Sequence, residues 1–190
     1  MKKLMIGCCI FCFVAVQVSA QIPTFTKGDN VLGVSVGFGG NYYSGYSYYK
    51  NYSRTPAITL SFEKCVVDNL FDEKSSIGVG GMFGITSAKY ESGLNYGWKS
   101  NNIIVGVRGA FHYALVDKLD TYAGVMLGYR INTFKYTGTW AVGTDRKVGS
   151  SGFSEYLFVG ARYYFTESIA VFAELGYGLA NFNLGLSLKF

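Results

Sequence analysis

The sequence predicts an all-β fold, an eight-stranded antiparallel up-and-down transmembrane β-barrel that follows an N-terminal signal peptide. The closing stretch 182–190 alternates apolar residues with polar residues or glycine, which is the period of a strand with one apolar face. Seven further segments alternate in the same way. The composition combines 25 glycines and 31 tyrosines and phenylalanines with only two prolines. This mixture favours β structure over helix or disorder.

The N-terminus is predicted to be a secretory signal peptide over residues 1–20, which leaves a barrel domain of residues 21–190. Two lysines, an apolar run from Leu4 to Val16 and small residues before a cut after Ala20 have the order of such a signal. The run is too short to span a membrane as a helix. A lipoprotein signal around Cys8 is the alternative, but it leaves almost no apolar stretch before the cysteine.

Cysteine usage and charge argue against two classes of protein. Three of the four cysteines lie in the signal peptide, so the exported chain keeps Cys65 alone, whereas a disulfide-held secreted domain carries a larger, even set. Cys65 is therefore expected to be a small, inert side chain. The net charge of +5 falls to +3 without the two signal-peptide lysines, and no basic cluster stands out. No nucleic-acid partner is expected.

Eight alternating segments are predicted to be the barrel strands, at 31–39, 55–65, 77–89, 102–113, 119–134, 154–165, 169–179 and 182–190. In the first, Leu32, Val34 and Val36 share one face, and glycine or serine occupies the other. Segments of about ten residues match a tilted spanning strand, and an even number of them suits a closed barrel. Since lipid requires every backbone polar group to be paired, the last strand is expected to pair with the first.

The connections between these strands alternate in length. Short ones lie at 114–118, 166–168 and 180–181, and long ones rich in Tyr, Gly, Ser and Asn lie at 40–54, 91–100 and 136–152. The connection at 66–76 is longer than expected of a periplasmic turn. Short turns at one end and long loops at the other are typical of an outer-membrane barrel. A soluble β-sandwich or lipocalin-type barrel is the alternative, but it does not explain Arg and Glu on the face opposite the apolar one.

With these features the chain resembles the small outer-membrane β-barrel proteins, the OmpA/OmpX-type eight-stranded barrels and related porin-like proteins. The resemblance rests on the signal peptide, the alternating segments over most of residues 28–190 and the closing Leu184–Phe190. It implies an integral protein of the outer membrane of a Gram-negative-type bacterium, surrounded by outer-membrane lipid and lipopolysaccharide. It also implies that the barrel assembly machinery reads Phe190 and the strand around it. The family includes membrane-stability proteins, adhesins, porin-like proteins and a few lipid-modifying enzymes.

The inward positions predict a charged network in the lumen. An eight-stranded barrel is filled by its own side chains, and unpaired charges there would be costly. The inward charged residues are Glu63, Arg108, Arg130, Arg162 and Glu174. Arg162 and Glu174 are expected to lie opposite each other or one diagonal step apart across the 166–168 turn, so their pair is expected to be the most secure contact. The alternatives are plain packing with ordered water, or a gate.

No catalytic residue, metal ligand or cofactor is expected. A lipid-modifying barrel enzyme needs a nucleophile, a base and an acid at the level of the outer leaflet. The single histidine, His112, is predicted to point inward near the periplasmic end, which is the wrong place for that chemistry. The glycines of 78–84 lie within a strand, where they space the lumen rather than cradle a phosphate.

The first long connection is a candidate surface recognition loop. It holds six tyrosines among Ser, Gly and Asn, namely Tyr42, Tyr43, Tyr46, Tyr48, Tyr49 and Tyr52. Recognition loops use this mixture because tyrosine offers a large contact area at low entropy cost. The alternatives are an aromatic collar on headgroups or sugars, or an extension of the two flanking strands.

The preferred function is that of a non-enzymatic outer-membrane barrel with a plugged polar lumen. Such a protein would serve envelope integrity, or surface recognition through its extracellular loops, with an unknown ligand. A narrow porin-like channel for small solutes is the first alternative, and a lipid-modifying enzyme is the second.

Overall fold

The computed structural model describes residues 24–40, 52–92, 96–138 and 151–190, which form nine β-strands. They are β1 (Asn30–Phe38), β2 (Tyr52–Arg54), β3 (Ala57–Asp68), β4 (Ser75–Ser92), β5 (Tyr96–Val116), β6 (Leu119–Gly138), β7 (Gly152–Tyr164), β8 (Ile169–Tyr177) and β9 (Phe182–Lys189). Within these ranges no helix has the length and apolar character needed to cross a membrane. The predicted signal peptide lies outside the described residues.

Eight of the strands close into an antiparallel ring in the order β1, β3, β4, β5, β6, β7, β8, β9, with β9 returning to β1. The closing seam pairs Val34 with Leu186 at its centre. The short strand β2 lies outside the ring and pairs with β4 around Lys89. Each ring strand therefore has a neighbour on both sides, as a membrane-spanning sheet requires. The prediction of an eight-stranded up-and-down barrel is confirmed.

Alternation along the strands sorts side chains into an apolar outer face and a filled lumen. On the seam, Val34 and Leu186 are 51% and 63% exposed, and large apolar side chains are exposed on every ring strand. A soluble protein rarely leaves so large an apolar surface uncovered. The outer face is therefore a lipid-facing band.

The predicted strand at 169–179 is shorter in the structure. β8 ends at Tyr177, so Leu179 is not part of the strand. Gly178 follows with a φ of 135°, a conformation that suits glycine, and turns the chain over the barrel end. Leu179 then folds into the lumen, where it is buried against the apolar core.

Three consecutive strands are much longer than the rest. β4, β5 and β6 have 18, 21 and 20 residues, whereas the other ring strands have 8 to 13. They continue beyond the ring at the end with the long connections, which is the extracellular end of such barrels. We call residues 87–92, 96–101 and 133–138 the projecting sheet. The predicted loop at 91–100 is therefore wrong for most of its length, because its polar residues continue the β4 and β5 strands.

Candidate functional site

Six charged side chains meet in the periplasmic half of the lumen. This lumen cluster comprises Glu63 on β3, Arg108 and His112 on β5, Asp120 on β6, Arg162 on β7 and Glu174 on β8. Each has a relative exposure of 4% or less. These are five of the eight ring strands, so the cluster bridges the barrel from wall to wall.

Glycines on the intervening strands allow these groups to reach each other. Gly80 on β4 is the register partner of both Glu63 and Arg108. Gly160 on β7 likewise stands between Tyr122 and Glu174. A Cβ on Gly160 would lie 2.7 Å from the ring of Tyr122, so only glycine fits that row. The alternating inward glycines therefore clear the space in which the charges pair.

One half of the cluster is centred on Glu174. The Arg108 Nη2 lies 3.0 Å from Glu174 Oε1, and the Tyr122 hydroxyl donates to the same oxygen at 3.0 Å. The guanidinium of Arg108 also lies 4.3 Å from the centre of the Phe158 ring. The second contact of this arginine, to Glu63 Oε2, measures 4.0 Å and links the two halves.

The other half is centred on His112. Its Nε2 lies 2.7 Å from Glu63 Oε1, and its Nδ1 lies 3.0 Å from both carboxylate oxygens of Asp120. When both carboxylates are ionised they only accept hydrogen bonds, so both ring nitrogens donate and the ring is an imidazolium. Three carboxylates are then balanced by two guanidinium groups and one imidazolium. The cluster is neutral as a whole, as burial demands.

Arg162 and an aromatic cap complete this half. Arg162 contacts Asp120 at 3.2 Å and Glu63 at 3.5 Å. Phe25, from the segment before β1, packs against His112 with the rings tilted by 45° and their centroids 4.5 Å apart. Phe25 also packs with Val31 and Cys65, so this thiol is buried among apolar groups. Phe25 therefore covers His112 on the periplasmic side.

The predicted Arg162–Glu174 pair is not among the ion pairs of the described residues, so this expectation is wrong. The direct register partner of Arg162 on β8 is Phe172, and on β6 it is Asp120. Arg162 therefore pairs with Asp120, while Glu174 pairs across the lumen with Arg108.

Arg130 was predicted to share the network but lies at another level of the barrel. It follows Met126, the register partner of Arg108, by four residues on β6. At 3.3 Å per residue this is about 13 Å further toward the extracellular end. Arg130 makes contacts of its own there. Glu63, Arg108, Arg162 and Glu174 do come together.

The sequence reasoning missed Asp120 and the bridging part played by His112. Asp120 has the same parity as Tyr122 and Gly124 and so belongs to the inward face of β6, but it sits beside the turn at Asp117–Lys118. This alternation could have identified Asp120 as an inward-facing residue. His112 does point inward near the periplasmic end, as predicted.

The other predicted sites are only partly covered by the structure. Tyr42, Tyr43, Tyr46, Tyr48 and Tyr49 lie outside the described residues, and the backbone of Tyr52 begins β2. Phe190 exchanges two backbone hydrogen bonds with Asn30, each 2.9 Å long, and its side chain is 65% exposed. In the described ranges, no group of three or more His, Cys, Asp or Glu residues is arranged to hold a metal ion.

A closed antiparallel ring, an apolar outer band and a charged, filled lumen define a small β-barrel of the outer-membrane type. Its structure is similar to that of Ail, the attachment invasion locus protein of Yersinia pestis, in complex with the heparin analogue sucrose octasulfate. That comparison has a TM-score of 0.54 and 11% identity and covers 87% of this chain and 100% of the other. A second structure of Ail gives 0.53 and 14% over the same shares.

The two similarities to Ail establish a common fold. The N-terminal β-barrel domain of Pseudomonas aeruginosa OprF is also similar, with a TM-score of 0.48 and 14% identity over 86% of this chain and 98% of that domain. No family model matches the sequence, and no curated protein matches it either.

Proposed function

We propose that this protein is an integral outer-membrane protein whose barrel is a plugged anchor and whose extracellular end is its working surface. The working surface comprises the projecting sheet and the long connections, and it serves surface recognition or envelope integrity. The surrounding outer-membrane lipid and lipopolysaccharide, and the barrel assembly machinery acting on Phe190, belong to the same proposal.

The observation that carries the plugged lumen is the wall-to-wall cluster. Direct ion pairs of 3.0 to 3.5 Å link β3, β5, β6, β7 and β8 across the interior. Toward the extracellular end, the lumen continues with large buried side chains, including Met126, Tyr156 and Phe158. Tyr156 and Phe158 stack at 5.3 Å, and the Tyr156 hydroxyl accepts a hydrogen bond from Asn183. These filled positions support a lumen with no continuous water path of solute size, as expected of an eight-stranded ring.

The projecting sheet supports the second half of the proposal. The strands that form it, β4, β5 and β6, are longer than is needed to cross the bilayer, since β7, β8 and β9 span with 13 residues or fewer. On its inner face, Trp98 stacks on Phe134 at 5.2 Å and lies 6.3 Å from Tyr90. These ring contacts pack the three strands of the projection together, which supports a folded platform rather than an irregular loop.

Conductance of the reconstituted protein tests the plug. Planar bilayers containing the folded barrel are expected to show no steady open channel, whereas the charge-balanced double variant Arg108→Ala/Glu174→Ala is expected to pass ions. Lys118→Ala, on an exposed periplasmic turn, is the control and is expected to behave like the unaltered protein. A steady conductance of the unaltered protein would instead support the porin-like alternative.

A further inference from the structure

The outward face of the projecting sheet carries three lysines in one row. Lys89 of β4 lies opposite Lys99 of β5, and Lys99 lies opposite Lys135 of β6. All three are exposed. Directly opposed residues have Cβ atoms roughly 5 Å apart, and like charges in such pairs destabilise a sheet. An anionic partner would therefore stabilise this lysine row.

The lysine row lies just above the lipid-facing band. Four residues lower on the same strands is an exposed apolar row of Ile85, Ile103 and Ile131. Between the two rows lies a polar one of Ser87, Asn101 and Thr133. The lysines therefore stand about 13 Å along the strands above the last apolar row. This is the zone of the polar headgroups rather than of the hydrocarbon core.

Within the described residues, Glu91 is the carboxylate that pairs with this row. Its Oε1 lies 3.2 Å from the Nζ of Lys89, and the two side chains are 69% and 55% exposed. So exposed a pair contributes little. One carboxylate against three ammonium groups leaves the row with a net positive charge.

We propose that the lysine row binds phosphate groups of a phosphorylated glycolipid that stands beside the barrel in the outer leaflet. The row is on the outward face, so its partner lies next to the barrel wall and not over the mouth of the lumen. Two lysines whose Cβ atoms are about 5 Å apart can direct both of their ammonium groups at one phosphate. The polar row beneath offers hydroxyl and amide groups to sugar oxygens. This inference rests on the proposed function for the orientation of the barrel, with the projecting sheet outside the cell.

Binding of purified lipopolysaccharide to the barrel in phospholipid nanodiscs tests the proposal. The triple variant Lys89→Gln/Lys99→Gln/Lys135→Gln is expected to bind about tenfold more weakly than the unaltered protein, because three surface charge pairs are lost. The matched control is Lys27→Gln/Lys64→Gln/Lys74→Gln, which removes the same charge at the periplasmic end and is expected to bind normally. Heat-modifiable gel migration confirms that each variant is folded.

Further binding measurements test whether the phosphate groups of the glycolipid and the positive charge of the lysine row are responsible for binding. Dephosphorylated lipopolysaccharide is expected to bind the unaltered protein and the triple variant equally weakly. A Lys→Arg triple variant at the same positions is expected to restore binding, and added salt is expected to weaken binding by the unaltered protein more than by the Gln variant.

Equal binding by the unaltered protein and the Gln triple variant would overturn the proposal. So would loss of binding in the periplasmic control, or a preference of the lysine row for a soluble sulfated polysaccharide over lipopolysaccharide. The conductance experiment does not depend on this row, so a failure here leaves the plugged anchor standing.

Discussion

At the scale of single residues, the stability of the lumen cluster depends on one imidazolium that pairs with two carboxylates. His112 is 1% exposed and holds two carboxylates apart, one on β3 and one on β6. Without its charge, Glu63 and Asp120 would face each other in a low-dielectric interior with too few cations. Removing one partner of a buried pair costs more than the pair contributes, because an uncompensated charge remains.

We therefore expect His112→Gln to destabilise the folded barrel by about 3 to 5 kcal/mol. The double variant Glu63→Gln/His112→Gln removes one charge of each sign and should recover part of that loss. The free energy of unfolding in urea, measured for both single variants and the double variant in detergent or lipid, gives the coupling between the two residues. Additive effects of the two substitutions would contradict the contact. Nitrogen NMR of the ring should show both nitrogens protonated at neutral pH.

Parity along a strand tells which residues enter the lumen, but not which of them meet. Glu63, Arg108, Arg162 and Glu174 were assigned to the interior correctly from alternation alone. The level of each residue along the barrel depends on the stagger of eight strands, which local sequence does not encode. For this reason Arg130 was grouped with charges about 13 Å away, and Arg162 was given the wrong partner.

At the scale of elements, β4, β5 and β6 combine a spanning part and a projecting part in one continuous strand. The spanning part follows from apolar alternation and was predicted. The projecting part alternates polar residues such as Lys, Ser, Asn and Thr, which resembles a loop composition. Only pairing with a neighbouring long strand makes it a sheet, so a local pattern could not distinguish the two.

Replacing residues 89–99 with Asn-Gly should remove the tip of the projecting sheet and leave the ring intact. Ala88 and Ser100 are register partners, so a two-residue turn can join them. The barrel part of β4 and β5 lies below this point, and we expect unchanged heat-modifiable migration and an unchanged unfolding midpoint. Loss of the folded band would show instead that the projection is needed to form the ring.

At the scale of the whole molecule, the outer face of the barrel contacts lipid, and the inner face packs against the protein's own side chains. The outer band has large exposed apolar side chains on every ring strand, and most charges lie inside the ring or near the strand ends. The fold class and the membrane location were predictable because apolar outward residues alternate with polar or small inward residues in each predicted strand. The tyrosine-rich connection remains a prediction, since its first five tyrosines lie outside the described residues.

The cost of a single charge on the lipid-facing band should depend on how deep the substituted residue lies in the bilayer. Leu186→Arg, at the centre of the closing seam, is expected to cost about 2 to 4 kcal/mol of unfolding free energy in lipid vesicles. Ile169→Arg, at the periplasmic start of β8, is the matched control and should cost about 1 kcal/mol or less. Equal costs at the two sites would mean that the apolar surface is not ordered by depth in a bilayer.

The seam between β1 and β9 also sets the order of events in biogenesis. It joins the first ring strand to the last, so no shorter, nascent chain contains both halves of this pairing. Contacts so distant along the polypeptide form slowly, and until they form the two strand edges are open to aggregation. The exported chain must therefore be held in an unassembled, protected state until its final strand has been delivered.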